Sequence, residues 1–409
     1  MPRALVHLVV LTLAAMACGS SGRSTRLSPG GDATAVLEQA LASAGGSTLT
    51  IAGSETFVVR RVRVDGANTT LECTGEPAAT FQLPPLAAGD GSPIFDVRAD
   101  GFTIRNCILD GNRAAQPAGG FSDSYQGRVF RAALKVSGRR RGLTVDGVTF
   151  KNVYGAAVAT HGVSGIVVKD STFQDGNFEA VFADNAFTLG DSVNFLEGFT
   201  FTGNEVRNSA SGDPRVNANG LMVHQMKGIT IEDNAWTGYE RNAIKLENCR
   251  EGTIARNRIR DGAFRNFAGI TMQNGGHGLT LADNELTNVG TGIDASLVAG
   301  GQYPPDELVD VTIRGNTVRG VAAGQLADGI RIFGFGATTA DVTIAGNTID
   351  GVPGHGIQVK QFRTFHADPV LARITIEDNR LTSSGACGRW FAGSEVEPSD
   401  VTDSGNTCD

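Results

Sequence analysis

The chain has 409 residues and a formal net charge of −8; glycine is abundant (54) and only 7% of the residues are aromatic. An acidic chain lacks the basic surface that nucleic acids need, so we expect no nucleic-acid partner. The length alone would allow two or three domains, but an internal repeat predicts a single elongated one.

The first eighteen residues have the pattern of a secretory signal. Arg3 precedes an apolar run, Ala4 to Ala17, that is too short to span a bilayer. The sequence Leu13-Ala-Ala-Met-Ala-Cys18 resembles a bacterial lipoprotein cleavage box, in which Cys18 would become the lipidated residue.

We therefore predict a signal peptide over residues 1–18, a flexible Gly/Ser-rich tether over 19–31 and one domain over 32–409. The predicted location is the bacterial cell envelope, with a lipid anchor in the outer membrane or at the cell surface. Secretion without an anchor, or a periplasmic location, is the alternative. We expect a monomer.

The segment from Asp32 to Ala44 has aliphatic residues at helical spacing and an acidic start. We predict a helix that caps the first coil of a solenoid, because an open coil would expose unpaired strand edges.

A repeat with alternating apolar and polar residues follows and predicts short strands. Typical copies are Gly228-Ile-Thr-Ile-Glu-Asp-Asn234 and Asp310-Val-Thr-Ile-Arg-Gly-Asn316. Asn tolerates the left-handed region, so we expect it to turn the chain after the strand, and we expect its amides to stack as a structural ladder. The asparagines of this column are Asn204, Asn234, Asn257, Asn284, Asn316, Asn347, Asn379 and Asn406. In earlier repeats Cys107, Val148 and Ser171 take the same place.

A second short strand comes after each Asn, and a third begins with a small residue and an aliphatic one, as in Gly220-Leu-Met-Val-His224. Such a repeat buries its apolar face only when copies stack. We predict an all-β fold, a parallel β-helix solenoid of roughly ten coils with three strands per coil.

These phrases, together with Leu49-Thr-Ile and Ile108-Leu-Asp-Gly-Asn112, resemble those of right-handed parallel β-helix proteins of the pectate lyase-like superfamily. The resemblance covers about residues 45 to 406 and concerns the scaffold. It implies that an extended polysaccharide lies along one sheet. It also makes Ca²⁺ a candidate cofactor, because Ca²⁺ sites are common among uronate lyases of this fold.

The cysteines fit an oxidising compartment. From their adjacency, we expect Cys73 to pair with Cys107 on neighbouring coils and Cys387 to pair with Cys408 at the C-terminal end. Cys249 would then have no disulfide partner.

The candidate site lies at the end of the third strands, on residues that we expect to point outward and to be exposed. Two of the six histidines stand in this column beside carboxylates, and an imidazole tuned by a carboxylate suits general acid–base chemistry. The catalytic candidates are His161, Asp184, His224, Lys245 and Glu247. Plain cross-strand pairing of acid and imidazole is the alternative interpretation.

Long corners flank this patch, and arginine and tyrosine there suit the binding of carboxylated or hydroxylated sugars. The predicted substrate-binding residues are Arg131, Arg215, Tyr239, Arg241, Gln273 and Asp294. No metal site is predicted, because acids alternate with histidines where Ca²⁺ would need several acids together. A Ca²⁺ ion stays open as a cofactor.

Three functions compete. The first is a lyase or epimerase acting on a uronate polysaccharide, with Arg241 or Lys245 neutralising the carboxylate, His224 as base, and His161 or Tyr239 as acid. The second is a non-catalytic glycan-binding or adhesive solenoid. The third is an inverting glycoside hydrolase that uses Asp184 and Glu247.

Overall fold

The structure is a computed structural model of the chain. It describes residues 11–13, 31–88, 90–116, 131–176, 178–185, 195–207, 219–262, 267–296, 307–321, 328–335, 338–363, 368–385 and 390–409. Of Leu11–Leu13 only the backbone is described; it forms a strand antiparallel to Thr48–Ala52.

The described chain is a parallel solenoid built from two hydrogen-bonded sheets of 21 and 13 strands. The smaller sheet contains the short strand that follows each Asn position. Its strands are Thr56–Val58, Thr80–Gln82, Ile108–Asp110, Thr149–Lys151, Thr172–Gln174, Glu205–Arg207, Ala235–Thr237, Arg258–Arg260, Glu285–Thr287, Thr317–Arg319, Thr348–Asp350, Arg380–Thr382 and Thr407–Cys408. Two of them, Thr56–Val58 and Thr80–Gln82, precede the repeats that the sequence pattern aligned, so the stack is deeper than expected.

The expected first and third strands lie together in the larger sheet. The reason is that the third strand of one repeat can continue through a bend into the first strand of the next repeat. Four strands do so, namely Leu134–Asp146, Val158–Lys169, Ile244–Ala255 and Ala268–Ala282. The separate first strands are Thr48–Ala52, Thr70–Thr74, Phe102–Arg105, Leu196–Thr202, Met226–Glu232, Glu307–Arg314, Thr338–Ala345, Val370–Glu377 and Ser399–Ser404. The separate third strands are Val62–Val64, Phe95–Val97, Val181–Asp184, Leu221–His224, Thr291–Ser296, Ile330–Gly334 and Ile357–Gln361. We call the column of third-strand segments the third stack.

The Asn residues form a buried ladder along the long axis. Asn316 is fully buried; its backbone N–H and its Nδ2 both donate to Asn347 Oδ1, at 2.9 and 3.0 Å, and Nδ2 also donates to the Leu281 carbonyl at 3.0 Å. Ser171 begins the ladder, because its backbone N–H donates to Asn204 Oδ1 at 2.9 Å. The stacked structural amides expected from the repeat are thus present.

The left-handed turn residue is not the Asn itself, as the sequence pattern suggested, but the residue before it. Asp233, Arg256, Asp283 and Gly315 have φ between 53° and 64°. The Asn side chain points into the solenoid, where its amide replaces backbone partners that the corner leaves unpaired.

The interior is filled by stacked apolar side chains. Phe150 and Phe173 face each other at 4.9 Å, and Phe201 lies 5.8 Å from Trp236. At the N-terminal end, helix Thr34–Ser43 buries Leu37, Ala40 and Leu41 in this core. A 3₁₀ turn at Arg113–Ala115 is the other helical element among the described residues.

The disulfide between Cys73 and Cys107 forms as predicted. Cys249 is free and buried, and its burial raises the pKa of the thiol to about 12. Cys408 is disulfide-bonded; its expected partner Cys387 lies outside the described residues, as do the proposed signal peptide apart from Leu11–Leu13 and most of the tether.

No helix within the described ranges is long and apolar enough to cross a membrane.

Candidate functional site

The register of the third stack produces the side-chain ladder expected from the repeat. His161 pairs with Asp184, and His224 pairs with Glu247. The ladder continues through Gln273. Because side chains alternate along a strand, these residues project from the outer face, opposite the aliphatic residues of the core.

The outer face is not open to solvent here, so the expectation of exposed histidines is wrong for His224. It is only 2% exposed, and Asp184 only 4%. Phe182 and Met222, on the same outer face, form a second apolar cluster with alanines of neighbouring coils. The chain therefore covers this part of the sheet, which alternation along a strand cannot reveal.

His224 and Asp184 form a close buried pair. The imidazole Nδ1 lies 2.7 Å from Asp184 Oδ1, and each side chain is 3% exposed. This contact fixes the ring orientation and directs Nε2 away from the carboxylate. A carboxylate that holds an imidazole in this manner is a common element of acid–base sites.

His161 is half-buried on the adjoining coil. Burial lowers its pKa; the Asp184 carboxylate acts in the opposite direction, and Lys135 adds to the lowering. The imidazole of His161 is consequently neutral at neutral pH, the form that can accept a proton.

Lys245 and Glu247 lie on one strand next to this pair. Lys245 Nζ is 2.5 Å from Glu247 Oε1, and each side chain is 13% exposed. The structure thus brings the five predicted catalytic residues together along consecutive coils of one stack.

The predicted substrate-binding residues fall into different surroundings. Gln273 is half-buried beside Glu247. Asp294 is 9% exposed; it accepts hydrogen bonds from Arg331 Nε at 3.2 Å and from the Ser296 hydroxyl. Arg241 is half-buried, with its guanidinium 4.5 Å from the centre of the Phe267 ring.

Two of these predictions are corrected by burial. Tyr239 is 1% exposed within the core, and burial raises the pKa of its phenol, so it neither reaches a sugar nor donates its proton readily. Arg131 is 2% exposed and donates to the carbonyls of Asp90 at 3.0 Å and Ala87 at 3.3 Å, which gives it a structural role. Arg215 and Cys18 lie outside the described residues.

Sequence reasoning missed a buried polar network at the corner before the third strands. Glu179 Oε1 accepts from Asn219 Nδ2 at 3.3 Å, and Asn219 Oδ1 accepts from Asn242 Nδ2 at 2.9 Å. Asn242 Oδ1 in turn accepts from the Thr271 hydroxyl at 2.7 Å. The signal was a polar residue directly before the small residue that opens three consecutive third strands, at Glu179, Asn219 and Asn242.

Within the described ranges, no group of three or more His, Cys, Asp or Glu side chains is placed to hold a metal ion.

Several solved structures of other proteins are similar to this fold. The structure is similar to that of DFA-IIIase from Arthrobacter chlorophenolicus A6 without its lid in complex with GF2, with a TM-score of 0.56, 12% identity and coverage of 93% of this chain and 96% of that chain. It is similar to the periplasmic alginate epimerase AlgG, with a TM-score of 0.52, 14% identity and coverage of 89% and 78%. It is also similar to PfbA, a surface adhesin of Streptococcus pneumoniae, with a TM-score of 0.50, 13% identity and 87% coverage of both chains.

At these identities the likeness concerns the fold alone, and the fold is shared by an epimerase and an adhesin. No curated protein sequence matches the chain. The family model described as "Right handed beta helix region" matches residues 98–318, more than half of the sequence. The protein belongs to the right-handed β-helix family.

Proposed function

We propose that the protein is a carbohydrate-active enzyme that removes the C5 proton of a uronate residue in an acidic polysaccharide, by epimerisation or elimination. The observation that carries the proposal is the Asp184–His224 pair at 2.7 Å with a half-buried, neutral His161 on the adjoining coil. Two imidazoles near one carboxylate supply the acid and the base that this reaction needs.

His161 fits the role of base better than that of acid, since burial lowers its pKa and keeps it neutral. It takes the C5 proton, and the electron pair passes into the sugar carboxylate as an enolate. A proton is then delivered from the side of His224, whose imidazole Asp184 orients. This reverses the roles that the sequence suggested for the two histidines.

The two outcomes differ in where that proton goes. In epimerisation it returns to C5 from the opposite face. In elimination the electron pair expels the glycosidic oxygen at C4, a C4=C5 double bond forms, and the departing oxygen takes the proton. Arg241 would neutralise the sugar carboxylate, since Lys245 is already paired with Glu247.

The similarity to an alginate epimerase supports the substrate class at the level of the fold. An inverting hydrolase is less well supported, because it needs one carboxyl as a proton donor. Asp184 already contacts His224, and Glu247 already contacts Lys245.

The test is an incubation of the full chain with a panel of polyuronates in deuterium oxide, with Ca²⁺ or with a chelator. Deuterium at C5, seen by NMR, reports epimerisation, and ultraviolet absorbance of an unsaturated uronate reports elimination. His161→Asn and His224→Asn should each abolish the signal. Lys169→Ala, an ion-pair variant on the first strands, serves as control and should keep it. If neither signal appears with wild type, or if the wild-type signal survives in His161→Asn, the proposal is wrong.

A non-catalytic glycan-binding solenoid is the second candidate, favoured by the 3% exposure of both members of the Asp184–His224 pair. A pair so buried can serve as a satisfied structural contact. Saturable polysaccharide binding without turnover would support this candidate over the first.

We also propose that helix Thr34–Ser43 caps a solenoid of three-stranded coils, and that the protein is a monomer held in the cell envelope through lipid on Cys18. The similarity to a periplasmic enzyme and a surface adhesin supports a location outside the cytoplasm. Loss of membrane association in Cys18→Ser would support the anchor.

A further inference from the structure

A cluster of three phenylalanines stands at the C-terminal end of the third stack, outside the site described above. Phe335 and Phe362 stack at 4.5 Å with an interplanar angle of 10°, and Phe333 meets Phe362 edge-on at 5.8 Å. All three rings are half-buried, so part of each stays at the surface. We call these residues the aromatic platform.

Two cationic side chains lie next to the platform. Lys360 Nζ lies 5.1 Å from the centre of the Phe333 ring, and the Arg331 guanidinium lies 4.8 Å from it. Arg331 is held by Asp294 in a buried ion pair. Among the described residues, Lys360 forms no ion pair with a carboxylate.

The platform lies in the same column as the candidate site. Phe333 follows Glu247, Gln273 and Ser296 in register, and Lys360 follows Phe333. His224 is therefore four coils away, or about 19 Å at the usual strand spacing. A single sugar does not bridge that distance, whereas an extended chain lying along the stack does.

We propose that the platform and Lys360 form a distal subsite for an acidic oligosaccharide, in which the rings contact the apolar faces of the sugars and Lys360 pairs with a sugar carboxylate. Aromatic faces and a cation side by side match a ligand that is apolar on one face and anionic at its edge. The inference rests on the proposed function for its substrate class and extends it to a second point of attachment.

The experiment measures binding of uronate di- and hexasaccharides, and of neutral hexasaccharides, by calorimetry with the full chain. Phe333→Leu keeps an apolar side chain and removes the ring, and Lys360→Ala removes the charge. We expect each to weaken hexauronate binding about tenfold, the scale of one good aromatic or charged contact. Disaccharide binding at the catalytic end should not change. Lys227→Ala, a lysine paired with Glu197 on the first strands, is the matched control.

Hexauronate affinity equal to wild type in a folded Phe333→Leu protein would overturn the subsite, as would no binding by wild type. Equal or tighter binding of neutral hexasaccharides would overturn the role of Lys360. Because binding is measured apart from turnover, the two proposals can fail separately. Platform-dependent binding without turnover would refute only the enzyme, and turnover that is indifferent to Phe333→Leu would refute only the subsite.

Discussion

His224 and Asp184 show how one contact serves two purposes at the scale of the residue. Their 2.7 Å separation at 3% exposure orients an imidazole for chemistry and satisfies a buried carboxylate. The second purpose does not follow from the sequence-based expectation, in which the His224 side chain points outward and is exposed.

We predict that His224→Ala lowers the free energy of unfolding by about 3–5 kcal/mol, because it leaves the Asp184 carboxylate buried without this partner. His224→Asn should cost clearly less, since its amide can donate toward the same oxygen. Chemical denaturation of both variants measures the difference. A loss under about 0.5 kcal/mol for His224→Ala, typical of surface sites, would show that the pair carries no stability.

The lowered pKa of His161 predicts a dependence of stability on pH. Its folded-state pKa lies below the unfolded value of about 6.5, chiefly because of burial. The unfolded chain therefore binds the proton more readily, and the stabilising contribution is present above pH ~6.5 and lost as the pH falls toward the folded pKa. The stability gap between wild type and His161→Asn should narrow between pH ~7 and ~5. A difference in the free energy of unfolding that stays constant or widens over this pH range, measured by denaturation, would contradict this prediction.

At the scale of the element, the hydrogen bonds of the Asn ladder stabilise the corner between the first and second strands. An interior Asn both donates to the next coil and accepts from the previous one: Asn284 donates its backbone N–H and Nδ2 to Asn316 Oδ1 at 3.0 and 2.9 Å. The left-handed residue before it turns the chain, and the amide then ties adjacent turns together.

We predict that Asn316→Ala lowers the free energy of unfolding by at least about 3 kcal/mol, since each buried donor left without an acceptor costs ~1–3 kcal/mol. Asn406→Ala is the matched control. Asn406 accepts the same pair of hydrogen bonds from Asn379 but at the partly exposed end of the ladder, where water can replace it. Equal effects of the two substitutions on denaturation would show that burial of the ladder contributes nothing.

At the scale of the whole molecule, each coil contacts its neighbours, so a local change should stay local. The Cys73–Cys107 disulfide joins two neighbouring coils near the N-terminal end, across a sequence separation of 34. The far end is stabilised by its own ladder and core.

We predict that replacing both cysteines by serine destabilises the N-terminal coils by about 4 kcal/mol in the chain-entropy estimate for such a loop. Hydrogen exchange should quicken in Thr48–Ala52, Thr70–Thr74 and Phe102–Arg105 and stay unchanged in Thr338–Ala345 and Val370–Glu377. Equal acceleration at both ends would mean that the solenoid unfolds as a single cooperative unit.

The sequence by itself determined the repeat, the parallel stacking, the Asn ladder and the register that sets His161 beside Asp184 and His224 beside Glu247. These follow from alternation and repeat spacing, which are local properties of the chain. Only the tertiary structure decided that His224 and Asp184 are buried, that Tyr239 lies in the core, that Arg131 binds backbone carbonyls and that Phe333 belongs to an aromatic platform. Burial and pairing depend on which distant segments pack over a strand, and no period within the strand encodes that.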